Sequence, residues 1–191
     1  MTYSNSKMNL VKPLLLFIYL LAFLSVKGAM VLEYDITEAN GKEIVLPLNG
    51  DEVKVKVDWG DGTTEKVTSA GLVHHTYENT GLKTVRIKGV LNHFGFTQEQ
   101  IESLKLNKIG RYQINLRSVK KWGLKNLNSL SGAFYSATEL ANVPKVLPKK
   151  VTDLSKMFYR ASSFNQPLNE WDVSNVTNMS CLLYTSDAAD D

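Results

Sequence analysis

The sequence has few residues that support covalent or metal chemistry. It contains one cysteine, Cys181, among 191 residues, which excludes an internal disulfide and any paired-cysteine metal motif. It also lacks the G-x-S-x-G, H-E-x-x-H and phosphate-loop motifs. Lysine and arginine total 22 against 19 acidic residues, a near balance that argues against nucleic acid as a partner. We therefore predict a protein that is not an enzyme, with no catalytic, cofactor-binding or metal-binding residues.

No apolar run in the chain is long enough to span a bilayer comfortably. The longest extends from Leu14 to Val26 after two lysines, and the small residues Gly28 and Ala29 follow it. This layout predicts a signal peptide over residues 1–29 and no membrane span beyond it. Lys27 is a poor cleavage context, so an uncleaved anchor or a buried core helix stays open as the alternative.

Between residues 30 and 96, apolar and polar residues alternate with a period of two, which is typical of strands that bury one face. The apolar positions are Leu32, Tyr34, Ile36, Val53, Val55, Val57, Trp59, Val85 and Ile87. Asn40-Gly41, Asn49-Gly50 and Asp61-Gly62 are signals for tight hairpin turns. The pattern predicts a small antiparallel β-sandwich.

The same region carries a family resemblance. Residues 57–63 (VDWGDGT), the His75-Thr76-Tyr77 strand, Gly81 and Val85-Arg86-Ile87 resemble the signature of PKD-type immunoglobulin-like domains. The resemblance implies a sandwich that serves as a spacer or binding module on extracellular proteins, and it does not imply catalysis.

Two features of this region have alternative interpretations as metal sites. Asp58 and Asp61 flank a glycine turn and could be calcium ligands, but no further carboxylate lies nearby in sequence, which favours a turn-forming role. His74, His75 and His93 could suggest zinc, but adjacent strand residues point to opposite faces. We therefore favour a packed His75 and a solvated His74.

A repeat is visible in the second half of the chain. Residues 127–137 recur at 151–161 and begin again at Val176, so that Leu130, Leu154 and Met179 lie 24 and then 25 residues apart. This period predicts a leucine-rich-type solenoid over 127–180, preceded by a junction or first coil over 97–126. Since one coil cannot bury its own apolar residues, Leu154, Phe158 and Phe164 are expected to pack on neighbouring coils. The junction's expected buried residues are Ile101, Leu104, Ile109, Leu116, Val119 and Trp122.

The repeats also resemble a known family. Residues 157–168 (MFYRASSFNQPL) and 171–180 (WDVSNVTNMS) are similar to the repeat of BspA-like surface proteins, which is also met in mycoplasma-type surface lipoproteins. The resemblance implies an exported or surface-attached bacterial protein, with adhesive or host-contact roles. This chain departs from the lipoproteins because no cysteine follows the apolar run.

The last eleven residues, 181–191 (CLLYTSDAADD), break the repeat, which calls for Met-Phe at positions 182 and 183. They resemble a translated transposon-derived sequencing adaptor, and we predict that they are foreign and that the gene is a fragment. A natural divergent C-terminus is the alternative. Without the aspartates at 187, 190 and 191, the net charge rises from +3 to +6.

These features predict a mainly β chain, with a PKD-like sandwich over 30–96 followed by an incomplete leucine-rich-repeat-type solenoid. The expected function is non-catalytic binding or adhesion, by a protein secreted or displayed on a bacterial surface, to a host or cell-surface protein or glycan. The alternatives are accessory binding modules of a larger secreted hydrolase, or a structural cell-envelope protein.

Overall fold

A computed structural model describes residues 28–184 of the chain. Most of the predicted signal peptide, residues 1–27, lies outside the described residues, as do residues 185–191 of the predicted foreign tail. The first strand begins at Ala29, the last residue of the predicted signal peptide, and this alanine is fully buried. Within the described part, no helix is long and apolar enough to cross a membrane.

The protein is mainly β, as predicted. An antiparallel sheet has the order β3-β2-β5-β1-β6, with β4 paired to the free side of the first half of β2. The elements are β1 (Ala29–Ile36), β2 (Glu43–Asp58), β3 (Thr64–Val67), β4 (Gly71–Thr76), β5 (Gly81–Phe94), α1 (Gln98–Gln113), β6 (Leu116–Lys121), β7 (Phe158–Tyr159) and β8 (Leu183–Tyr184).

The strand β2 is long enough for its two halves to pair with two different strands in addition to β5. Residues 43–48 pair with β4 and residues 55–58 pair with β3, whereas β5 pairs with residues 48–49 and 53–58. The register shifts between Asn49 and Val53, and Gly50 there has a φ of 94° that favours glycine. The hairpin turn predicted at Asn49-Gly50 is therefore wrong, because the dipeptide forms an irregularity inside one long strand.

The apolar positions predicted from the alternation are confirmed as core. Every one of the nine is buried, with Tyr34 and Trp59 among the largest fully buried side chains. The predicted turns at Asn40-Gly41 and Asp61-Gly62 are also found, between β1 and β2 and between β2 and β3.

The segment between the sheet and the repeats contains the helix α1 and the strand β6. Thr97 caps α1, accepting a hydrogen bond from the Gln100 backbone, while the Gln100 side chain accepts one from the Thr97 backbone. Lys105 interrupts the helix with a φ of 58°. The strand β6 pairs with β1, so this segment adds the edge strand of the sheet. Of the six residues expected to be buried, Ile109, Leu116, Val119 and Trp122 are buried, whereas Ile101 and Leu104 are half-buried.

The repeats form parallel coils that stack on the end of the sheet. Single parallel bridges join His93 to Ser129, Ser129 to Asp153, and Asp153 to Asn178. The bridges therefore follow the repeat spacing read from the sequence. The first lies between the first coil and His93 of β5, so the sheet forms the N-terminal cap of the stack.

One apolar core runs from the sheet into the coils. The ring centroids of Phe94 in β5 and Phe134 in the first coil are 6.2 Å apart, and those of Phe134 and Phe158 in the second coil are 5.7 Å apart. Phe158 therefore packs on the neighbouring coil, as expected, and Leu154 is fully buried, whereas Phe164 stacks on Phe158 of its own coil at 4.1 Å. Each large apolar side chain buried in this way stabilises the fold by about 1.5–3 kcal/mol.

The third coil leaves apolar surface uncovered. Val173 and Met179 are 41% and 46% exposed, and Val176 is partly buried. Leu182 and Leu183 occupy the places that Met157 and Phe158 hold in the second coil, and β8 pairs in parallel with β7. The first residues of the predicted foreign tail thus keep the apolar character that this coil position requires.

Candidate functional site

The coil stack arranges polar side chains in regular rows. Ser129, Asp153 and Asn178 each accept a hydrogen bond from the backbone N–H two residues ahead, which fixes the same turn in each coil. Two residues further along each coil, the hydroxyl groups of Ser131 and Ser155 lie 2.9 Å apart. Equivalent side chains of successive coils therefore form ladders along the stack.

A ladder of tyrosines runs beside these polar rows. The rings of Tyr135 and Tyr159 are 4.8 Å apart and nearly parallel, and Tyr184 stacks on Tyr159 at the same distance. Burial raises the pKa of Tyr135, because the phenolate form would lose solvation, and the neighbouring Tyr159 adds to the effect. The tyrosine rings therefore stack in register along the coils, as the side chains of the polar rows do.

The helix α1 lies across the tyrosine ladder at its sheet end. Phe96, Ile109 and Tyr135 are buried together, with Leu104 and Tyr159 packed at the edge of the group. The amide of Asn49 on β2 ties the start of the helix to the sheet, since it donates to the carbonyl of Gly95 and to the side chain of Gln100. The helix therefore covers the first coil and reaches the second.

A cavity of about 440 Å³ lies where the second half of α1 meets the first two coils. Its lining residues are Leu106, Asn107, Gly110, Arg111, Ile114, Ser136, Thr138 and Arg160. None of them is acidic. Ser136 is only 4% exposed, and its hydroxyl group has no hydrogen-bond partner among the described residues. The Nε atom of Arg160 is also buried without a partner there.

The aspartates that were candidate calcium ligands are part of turns. Asp58 accepts a hydrogen bond from the N–H of Gly60, and Asp61 accepts from the N–H and the hydroxyl of Thr63. Burial raises the pKa of Asp61, but the hydrogen bonds from Thr63 and His75 outweigh it and hold the pKa at about 2. Both carboxylates therefore stabilise turns, which is the role that we favoured from the sequence.

The side chains of the three histidines do not converge on one site, and each has its own partner. His75 stacks on Trp59 at 4.4 Å and contacts Asp61, while the exposed His74 contacts Glu43. His93, on β5, contacts the carbonyl oxygen of Ser131 at 2.9 Å. The packed His75 and the solvated His74 agree with the prediction.

Sequence reasoning missed the helix and the cavity beside it. A signal for the helix was present, because Thr97 and Gln100 have the spacing of a capping box. No local pattern indicated the cavity, because Arg111 comes from the helix and Ser136 and Arg160 come from successive coils.

Comparison with known proteins gives one similarity. Residues 103–190, just under half of the chain, match the sequence profile of a mycoplasma protein family of unknown function, DUF285. No curated protein and no solved structure matches the chain. The matched range includes the repeats, α1 from Ser103 onward and most of the residues that we predict to be foreign. The repeat half of this chain is thus similar to a bacterial family of repeat proteins.

Proposed function

We propose that this chain functions as part of an exported, non-catalytic bacterial surface protein that binds a host or cell-surface protein or glycan through its repeat array. The similarity of residues 103–190 to a mycoplasma family and the resemblance of the repeats to BspA-like proteins support an assignment to surface repeat proteins. The assignment of the coils as leucine-rich type is part of the same proposal.

The observation that carries the proposal is the stack of coils with side chains in register. Thr152 and Thr177 occupy equivalent exposed positions, and the Thr177 hydroxyl donates to the Thr152 carbonyl oxygen at 3.2 Å. Surfaces built from repeated positions suit large ligands, since one recognition element recurs along the array. The coils therefore offer a ligand a row of exposed hydroxyl groups and, at Tyr159, a partly exposed aromatic ring.

The sheet supports the array in this proposal, and we assign it to the PKD-like class. The Tyr77 hydroxyl donates to the Trp59 carbonyl oxygen at 2.8 Å, which links the VDWGDGT turn to the His75-Thr76-Tyr77 strand. Since the core continues from β5 into the coils, the sheet holds the first coil rigidly, which a flexible spacer would not do.

Labelling of intact cells tests surface display. Antibodies raised against the purified chain should label unpermeabilised cells of the source bacterium, and protease added outside should remove the signal. Labelling that appears only after permeabilisation would refute display at the surface.

Binding is tested with arrays of matrix proteins and glycans, using the full chain. The double variant Thr152→Glu, Thr177→Glu changes the exposed row, and it should weaken any binding made through the array by about tenfold or more, because it introduces charge into the contact. The matched control is Thr68→Glu, Thr80→Glu, which changes two exposed threonines in the loops before β4 and before β5. Equal losses in both variants, or no binding at all, would contradict the proposal, and the second outcome would favour a structural envelope role.

A further inference from the structure

The four arginines of this chain fall into two groups. Arg86 lies 3.9 Å from Asp58, and Arg117 lies 3.8 Å from Asp35 and also pairs with Glu139. Arg111 and Arg160 make no ion pair with any residue between 28 and 184. Both of these arginines line the cavity between α1 and the coils.

The same cavity contains unused hydrogen-bonding capacity. The hydroxyl of Ser136 and the Nε of Arg160 are buried without a partner in the described chain, and both belong to the lining. A buried donor without an acceptor is costly, and native structures usually supply one from the protein, water or a ligand. Both atoms are closed to solvent in this structure, so an acceptor from outside the chain reaches them only when side chains at the cavity wall shift.

We propose that this cavity binds an acidic sugar, in which a carboxylate or sulfate group lies against Arg111 and Arg160 and accepts a hydrogen bond from Ser136. Guanidinium groups bind such oxyanions in a bidentate geometry and stay charged at any physiological pH. With two arginines and no acidic residue in the lining, the site is selective for anions.

The remaining lining residues suit a sugar. Asn107 and Thr138 each carry groups that donate and accept, which matches the hydroxyl groups that surround the acidic group of a sugar. Leu106 and Ile114 provide apolar surface for the face of a sugar ring. The volume of about 440 Å³ lies within the range of small-ligand pockets, roughly 300–1,000 Å³.

This inference rests on the proposed binding function, and it names the class of ligand that binds at one site of the array. The two can fail separately. If the array binds a partner but the cavity variants described next leave that binding unchanged, the inference fails and the proposed function stands.

The test is a titration of the full chain with sodium glucuronate, in which binding is measured by chemical-shift changes or by calorimetry. Glucose is the neutral probe of the same ring size, inorganic sulfate is the free anion, and a poly-glutamate peptide represents the acidic peptide. We expect glucuronate, or the sulfated form of glucose, to bind at least tenfold more tightly than each of these three probes. Tighter binding of the peptide, or equal binding of glucose and glucuronate, would overturn the proposal, as would binding of inorganic sulfate alone.

Three variants place the ligand in the cavity. Arg111→Gln and Arg160→Gln should each weaken glucuronate binding about tenfold or more, because each removes a charged hydrogen-bond donor. Arg86→Gln removes the same charge from the sheet and should leave binding unchanged. An equal loss in Arg86→Gln would show non-specific attraction and would overturn the proposal.

Ser136→Ala distinguishes a binding role from a structural one. Since the Ser136 hydroxyl has no partner in the protein, its removal should not lower the midpoint of thermal unfolding, but it should weaken glucuronate binding severalfold. Serine and alanine both have a Cβ, so the backbone strain at a φ of 60° stays the same. Unchanged binding in this variant would overturn the assigned role of Ser136, as would a lower melting temperature with unchanged binding.

Discussion

Replacement of Phe134 by alanine tests whether the sheet and the coils form one cooperative unit. Phe134 is fully buried in the first coil, and its ring packs against Phe94 of the sheet, Phe158 of the second coil and Trp122, at centroid distances of 6.2, 5.7 and 6.1 Å. Phe→Ala in a packed core costs about 3–5 kcal/mol, because contacts are lost and a void is left. For a chain of this size, 1 kcal/mol shifts the melting temperature by about 2–4 °C, so we expect a drop of roughly 6–20 °C.

Urea unfolding followed by tryptophan fluorescence provides the measurement. Trp59 reports on the sheet and Trp171 on the coils, and versions in which one of them is the single tryptophan, with the other and Trp122 replaced by phenylalanine, should give coincident transitions when Phe134 is retained. Leu82→Ala is the control, since Leu82 is 78% exposed, and it should change the free energy of unfolding by less than about 0.5 kcal/mol. Separate transitions for the two probes in the wild type, or a loss below about 1 kcal/mol in Phe134→Ala, would refute a shared core.

Two further substitutions test local features of the fold. Asp61→Asn should lower the free energy of unfolding at pH 7 by about 1 kcal/mol. The change of pKa from 3.8 to about 2 corresponds to at most about 2.5 kcal/mol, and solvent screening at this turn reduces that contribution. Because the folded-state pKa is depressed, the stabilisation is full above about pH 5 and is lost as the pH falls through about 2. A constant difference from the wild type between pH 7 and about pH 2 would contradict the assignment. Gly132→Ala should lower the free energy of unfolding by about 3 kcal/mol or more, because the new Cβ would lie 2.4 Å from the carbonyl oxygen of Phe96. Gly41→Ala is the control, since a Cβ at Gly41 meets nothing within 4 Å, and it should lower the free energy by only about 1–2 kcal/mol. Equal losses in the two glycine variants, measured by thermal unfolding, would show that the contact at Gly132 relaxes.

The sheet was predictable because its signals are local. Alternation with a period of two selects the buried face of each strand, and Val53, Val55 and Val57 follow it through the second half of β2. Asn49-Gly50 misled the prediction because a positive φ serves a hairpin turn and a strand irregularity equally well. Only the pairing partners of the two halves of β2, which are distant in sequence, distinguish the two outcomes.

The repeats were predictable because apolar residues recur at equivalent positions of each coil. The 24- and 25-residue spacing of Leu130, Leu154 and Met179 coincides with the bridges of the preceding residues. The helix α1 was harder to predict because its apolar residues are few and it is interrupted at Lys105. The position of α1 over the first two coils depends on the packing of Ile109 against Tyr135 of the first coil. No local sequence pattern indicates this contact.

Among the described residues, five buried side-chain polar atoms have no hydrogen-bond partner, and two of them belong to residues that line the cavity. Asn49 shows the usual solution for a buried polar group, since its amide donates to both Gly95 and Gln100. Ser136 and Arg160, by contrast, keep buried donors without partners in the described chain, and a lost partner costs about 1–3 kcal/mol for each group. Both occur in one cavity that also contains Arg111 and no carboxylate. A chain selected for stability alone would pair or replace such groups, so their grouping in one cavity argues for a ligand that supplies the missing acceptors.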